Sequence, residues 1–238
     1  DVDLAGRTVA VVGTGASAVQ VVPRIQPEVG RLVLWRVHVE LEDQPGRLGA
    51  LATAGLAFGA TVWAISLADR YSWFAAIAAD EAVRMSGLEM PIADPYRSAC
   101  IIGSGAGGLV TFETAYRDLF IHNKRATHPL TLLRIIGSSA AAHVGIEFGV
   151  KGPTFATCSA CSTATHAIGI ARDYIQHGLV DVAIAGASES VINYGTMKAW
   201  QALHVLSPEG CFPFSKKRNG TVLGEGAAGA AWLGAGAG

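Results

Sequence analysis

The stretch Gly152-Pro153-Thr154-Phe155-Ala156-Thr157-Cys158-Ser159-Ala160-Cys161-Ser162-Thr163 carries a short β-prone run into a row of small residues. A long Ala/Ile-rich helical pattern begins at or just after Cys161 and runs to about Gln176. A strand that leads directly into a helix predicts an α/β protein. It also places a thiol where the first backbone N–H groups of a helix have no intrahelical acceptor and where the helix dipole is positive. That address suits a nucleophilic sulfur. The ordinary alternative is a cysteine used as a small buried hydrophobe.

The chain of 238 residues is long enough for one large domain or two small ones. Half of it is hydrophobic and only 16% is charged, so a sizeable core is expected, and 29 glycines point to tight turns and close packing. A formal net charge of -1 argues against nucleic acid or an anionic membrane as partner. Cys100, Cys158, Cys161 and Cys211 form no secreted-type framework, and no signal peptide is evident, so a reducing, cytoplasmic setting is expected. The uncharged run from Leu48 to Ala68 is long enough to span a bilayer. Its glycines and hydroxyl residues, and the lack of an aromatic belt, favour a soluble helix followed by a buried strand, and no membrane association is expected.

Residues 1–36 read as strand, glycine turn, helix and strand, with Arg7–Val12 and Leu32–Trp35 as the strands. Gly13, Gly15 and Ala18 make G-x-G-x-x-A at the turn, where a backbone can approach a pyrophosphate, and Arg36 ends the second strand where it could face a 2′-phosphate. The wording Asp-Val-Asp-Leu-Ala-Gly-Arg, with Val-Gly-Thr-Gly-Ala-Ser-Ala-Val-Gln-Val-Val-Pro, resembles the nicotinamide segment of Baeyer–Villiger-type flavin monooxygenases. Two strands are too few for a dinucleotide site and no flavin fingerprint accompanies them, so no cofactor is expected. Residues 37–68 read as a second βαβ fragment, and Val-Glu-Leu-Glu-Asp-Gln-Pro-Gly-Arg-Leu resembles the opening half of an amino-acid-binding ACT domain. In that family the turn matched by Asp43 to Leu48 lies near the ligand.

Beyond residue 69 the pattern continues as α/β. Helices are expected over Ser72–Met85, after Gly108, over Gly137–Phe148 and over Tyr194–Leu203, with strands at Arg97–Ile102, Asp181–Ala187 and Ala227–Leu233. Gly103-Ser104-Gly105-Ala106-Gly107-Gly108 fits G-x-G-x-x-G, but no acidic residue follows at suitable spacing, and the loop reads as structural. Four segments occur in order: Ile101 to Leu109, Val150 to Gly169, Val182 to Glu189 and Pro213 to Ala227. Together they resemble the N-terminal half of a β-ketoacyl-acyl-carrier-protein synthase, the elongating condensing enzyme of fatty-acid and polyketide synthesis, over Asp69–Leu233.

That resemblance implies a thiolase-like half fold with a mixed sheet, preceded by the two βαβ-type fragments. It implies that Cys161 is the nucleophile that takes an acyl chain from its carrier as a thioester, and that its backbone N–H is part of the oxyanion hole. It further implies an acyl carrier protein as partner and a possible homodimer. The two histidines that assist decarboxylation belong to later motifs, His-Gly-Thr-Gly-Thr and Asn-x-x-x-Gly-His, and neither is in these 238 residues. The Gly-Phe-Gly-Gly loop that completes the oxyanion hole is also missing from them. His166, five residues after Cys161, lies about 140° round the helix and is expected to pack or hydrogen-bond inside. His143 and His177 read as ordinary structural histidines. Cys158 and Cys161 form a C-x-x-C without thioredoxin-like context. Lys216-Lys217-Arg218 reads as a solvated charge run, with contact to an acidic carrier as the alternative. Val9 to Gly13 can stand in for the family's first strand. The reading is a chimera of three parts, 1–36, 37–68 and 69–238, with an inactive α/β scaffold as the alternative function and no metal expected.

Overall fold

The hydrophobic strand Ser98–Gly103 (β3) has all six residues buried, and the fold is arranged around it. The structure, a computed structural model, describes residues 68–234 and the backbone of two earlier strands, Thr8–Val12 (β1) and Arg31–Trp35 (β2). Successive side chains on a strand point to opposite faces, and β3 uses both. Cys100 and Ile102 pack with Ile184 beneath helices Arg70–Ser86 (α1) and Ser139–Glu147 (α4), through Tyr71, Ala75, Ala79, Ala140, Ala141 and Val144. Ala99 and Ile101 face the other way with Ala183 and Ala185, against Ala167 and Ala171 of helix Thr163–Gln176 (α5). Helices therefore cover both faces, which is why the strand carries a continuous apolar run rather than an alternating one.

The sheet has four strands in the order β4-β3-β5-β6, where β4 is Thr154–Phe155, β5 is Val182–Glu189 and β6 is Gly226–Leu233. β3 runs parallel to β4 and β5, and β5 pairs antiparallel with β6, so the sheet is mixed. β1 and β2 pair parallel with each other, from Thr8 opposite Arg31 to Val12 opposite Trp35, and β1 lies beside β6 and α1. The remaining helices are Leu109–Phe120 (α2), Thr131–Ile135 (α3) and Tyr194–Ala202 (α6).

Most expected elements form within a residue or two of their predicted ends, as element boundaries ordinarily do. α3 is an addition, since a single helical turn is too short to show a period. The start of α1 is fixed by Asp69, whose Oδ1 accepts from Tyr71 N at 3.2 Å and whose Oδ2 accepts from Thr111 N at 2.9 Å. One carboxylate thus caps α1 and holds the first turn of α2. The helix ends at Gly87, whose φ of 75° is the left-handed conformation that closes helices. The glycine turn with Gly13, Gly15 and Ala18, the cofactor candidate Arg36, and the ACT-like turn, helix and strand within 37–67 lie outside the described residues. Among the described residues, no helix is long and apolar enough to cross a membrane.

Candidate active site

Cys161 lies in a single 3₁₀ turn, Ala160–Ser162, which hands over to α5 at Thr163. Short polar side chains hold this turn. Ser159 N donates to Thr163 Oγ1 at 2.9 Å, Ser162 Oγ donates to Ser159 O at 2.8 Å, and Thr157 Oγ1 donates to Thr163 O at 3.1 Å. Ser and Thr compete with the helix for backbone groups, which is why the chain makes a turn braced by side chains here before the helix proper. Ala160 takes φ 49°, the left-handed region, at a cost of about 1–2 kcal/mol for a residue with a Cβ. The sharp reversal leaves Cys161 exposed at the mouth of α5.

The glycine loop after β3 forms the floor beneath this turn. Ser104 N donates to Thr157 O at 3.2 Å, and Cys158 Sγ donates to Gly105 O at 3.6 Å. Gly103 has no room for a Cβ, because Thr157 Oγ1 and Thr163 Cγ2 occupy the space. The donors of this loop are satisfied from within. Glu189, at the end of β5, accepts from Gly105 N at 2.7 Å and from Ser104 Oγ at 3.0 Å. Ser104 Oγ in turn accepts from Gly107 N at 2.8 Å. A protein carboxylate thus occupies the position where a phosphate would sit in a nucleotide loop, in keeping with a structural role for G-x-G-x-x-G. Burial pushes the Glu189 carboxyl above the usual carboxylate range, opposed by these hydrogen bonds.

The sequence match that decides the family spans nearly all of this. The profile of the β-ketoacyl synthase N-terminal domain matches residues 35–231. The chain belongs to that family. Nodulation protein E of Rhizobium sp. (strain N33) is 40% identical over 159 residues, which are 67% of this chain and 40% of that protein. The 3-oxoacyl-acyl-carrier-protein synthase 2 of Staphylococcus aureus is 37% identical over 164 residues, covering 67% of this chain and 41% of that protein. The chain therefore spans about 40% of the length of the curated relatives it matches. Among solved structures, a type II polyketide synthase acyl-carrier protein in complex with its ketosynthase bound to the hexaketide aligns with TM-score 0.62 at 25% identity. That alignment covers 71% of this chain and 44% of the other. A β-ketoacyl synthase from Burkholderia phymatum STM815 aligns with TM-score 0.62 at 24% identity, over 71% of this chain and 43% of that one, which bears on the fold. The fold is the thiolase-like ketosynthase fold.

Within that family fold, the structure separates the candidate residues. His166 corrects the expectation of an inward-facing side chain. It is exposed, and its Nδ1 lies 2.6 Å from Ser159 Oγ. The helical wheel took no account of residues before the helix. The 3₁₀ turn brings Ser159 back to the first turn of α5, where its N donates to Thr163 Oγ1 and its hydroxyl reaches His166. Together with Thr157, Cys158, Ile170 and Asp173 these residues line an open groove of about 500 Å³. His143 is half-buried on α4, and burial lowers its pKa. His177 is exposed at the end of α5, with Nδ1 2.7 Å from Asp173 O. Lys216, Lys217 and Arg218 are exposed, and Arg218 bonds to Ser215 O at 3.0 Å. The four cysteines form no disulfide, and Cys100 is buried in the sheet, where desolvation pushes its thiol up to about 12. Among the described residues no cluster of three or more His, Cys, Asp or Glu could hold a metal. Sequence reading missed Ala160, Ser104 and Glu189. The available signal for Glu189 was an acidic residue ending a largely buried strand, a position that calls for a specific partner.

Proposed function

We propose that this chain carries the acyl-accepting half of a β-ketoacyl-acyl-carrier-protein synthase reaction, with Cys161 as nucleophile and its backbone N–H as an oxyanion donor. The carrying observation is the exposed Cys161 on a 3₁₀ turn that enters α5 behind a left-handed Ala160. The Cys161 sulfur attacks the thioester carbonyl of an acyl carrier protein. A new carbon–sulfur bond forms, and the carrier sulfur leaves and takes up the proton that Cys161 gave up. Negative charge on the carbonyl oxygen during this step is met by N–H groups at the turn. Decarboxylation and condensation call on the family's later histidine motifs, so the step proposed for these residues is acyl transfer to Cys161.

The test is intact-mass spectrometry after incubation with an acyl-carrier-protein thioester. The wild-type chain is expected to gain one acyl group and Cys161→Ala none. No adduct on the wild type, or an equal adduct on the variant, would leave the inactive scaffold as the better reading. We further propose a homodimer in a reducing, cytoplasmic setting, the latter supported by four cysteines without a disulfide. We further propose the division into 1–36, 37–68 and 69–238, with monooxygenase-like and ACT-like leading parts, from the motifs of those stretches. Limited proteolysis that cuts first near residues 36 and 68 is its expected outcome; protection of both junctions would count against it.

A further inference from the structure

We infer that Glu189 is a positioning residue for the nucleophile: its carboxylate pins the glycine loop that forms the seat of the Cys161 turn. This rests on the reading that Cys161 is the acylated residue. The connection is continuous. Glu189 leaves the end of β5 and holds Gly105 N at 2.7 Å and Ser104 Oγ at 3.0 Å. Ser104 N and Gly105 O then bond to Thr157 O at 3.2 Å and Cys158 Sγ at 3.6 Å, three to four residues before the nucleophile. Where a Cβ on Gly105 would lie, Glu189 Oε2 is 2.8 Å away and the Cα of Ala160 is 3.8 Å away, so loop, carboxylate and strained turn meet at one point. Ala160 holds φ 49° only while its surroundings oppose relaxation. The Glu189 contacts are part of those surroundings, because they fix a loop that lies against the turn.

The arrangement also explains why an acidic residue occupies a half-buried strand end. The loop presents a backbone N–H and a hydroxyl to the same side, and a two-oxygen acceptor satisfies both at once. A Gln side chain keeps the Gly105 N contact through its carbonyl and can hold Ser104 only with the bond reversed, its NH₂ donating to Ser104 Oγ. An Ala cannot.

The test compares wild type, Glu189→Ala and Glu189→Gln by two readouts, the rate of acylation from an acyl-carrier thioester and the rate of iodoacetamide alkylation at Cys161, with exposed Cys211 as internal control. Glu189→Ala is expected to slow both reactions at Cys161 by about tenfold or more, with Cys211 unchanged and the circular dichroism spectrum retained. Glu189→Gln is expected to restore most of the rate. Wild-type rates at Cys161 in a folded Glu189→Ala protein overturn the inference, as does a Gln variant as slow as the Ala variant. If Glu189→Ala does not fold, Ser104→Ala removes one of the two contacts and should slow Cys161 about fivefold; no slowing there is equally decisive against it. A wild-type chain that alkylates at Cys161 but never acylates refutes the proposed function, and the alkylation comparison still decides on Glu189.

Discussion

Two residues set the chemistry of this chain apart from its packing, and both do so through burial and backbone conformation. Cys100 and Cys161 are the same residue type with opposite exposure. Cys100 sits in the middle of β3, and its thiol is pushed up to about 12 from the 9.0 of a solvated thiol. The folded state therefore keeps a proton that the unfolded state gives up. Stability from this group is fully present below about pH 9 and is lost as pH rises toward 12, with a limiting slope of about 1.4 kcal/mol per pH unit. Urea midpoints that stay level between pH 7 and 8.5 and then fall are expected; a Cys100→Ala variant with an unchanged alkaline fall would assign it elsewhere. Ala160 carries strain of about 1–2 kcal/mol in its left-handed conformation. Ala160→Gly removes the strain but adds unfolded-state entropy worth about 0.5–1 kcal/mol. The net expectation is a gain of about 0.5 kcal/mol in unfolding free energy, together with slower acylation because the turn is no longer held. A variant both less stable and equally reactive would show that the strain is unimportant.

Among the elements, α1 is tied at its first turn by two carboxylates. Asp69 caps α1 and also accepts from Thr111 N of α2, so Asp69→Ala deprives two helices of a partner and should cost about 2 kcal/mol in chemical denaturation. Asp69→Asn retains an acceptor and should cost less. Glu225 is the other tie. Its side chain is 1% exposed, and its Oε1 accepts from Arg70 Nη2 at 2.7 Å, Ser190 Oγ at 3.1 Å and Ile192 N at 2.6 Å. Glu225→Ala would leave Arg70 without its ion-pair partner and should cost about 3 kcal/mol or more. A loss under 1 kcal/mol would indicate that water replaces the carboxylate easily. These ties explain a limit of sequence reading. The helical period of Ser72–Met85 marks α1 clearly, but Asp69 meeting Thr111, or Arg70 meeting Glu225, is a contact between residues far apart in sequence.

For the molecule as a whole, exposed apolar surface is the main prediction. Phe120 is 76% exposed, Ile121 61%, Leu132 64% and Leu133 60%, all in the region around α2 and α3. A surface of this kind on a 24.6 kDa chain is expected to be covered by self-association. Light scattering after size exclusion should therefore give a mass above the monomer, and Leu132→Glu with Leu133→Glu should lower it. A strictly monomeric wild type that fails to enhance the fluorescence of a hydrophobic dye would refute this. At the same scale, the family is legible from motif order alone, because four separated segments in sequence each carry a local constraint: a glycine loop, a strand-to-helix turn, a small-residue strand and a Gly-Glu-Gly turn.

The sequence by itself determined the α/β class, the strands and longer helices, and the family, and it proposed Cys161 as the nucleophile. The class and the elements follow from local periodicity, and the family from the order of its motifs. Tertiary structure alone decided that Glu189 joins the glycine loop beneath Cys161, that Ser159 folds back to His166, and that Cys100 is withdrawn from chemistry while Cys161 is presented. The physical reason is that hydrogen-bond partners and solvent exposure depend on which chain segments meet, and β3 to β5 brings residues some 85 positions apart within 3 Å. A period of two or 3.6 residues contains no information about such meetings.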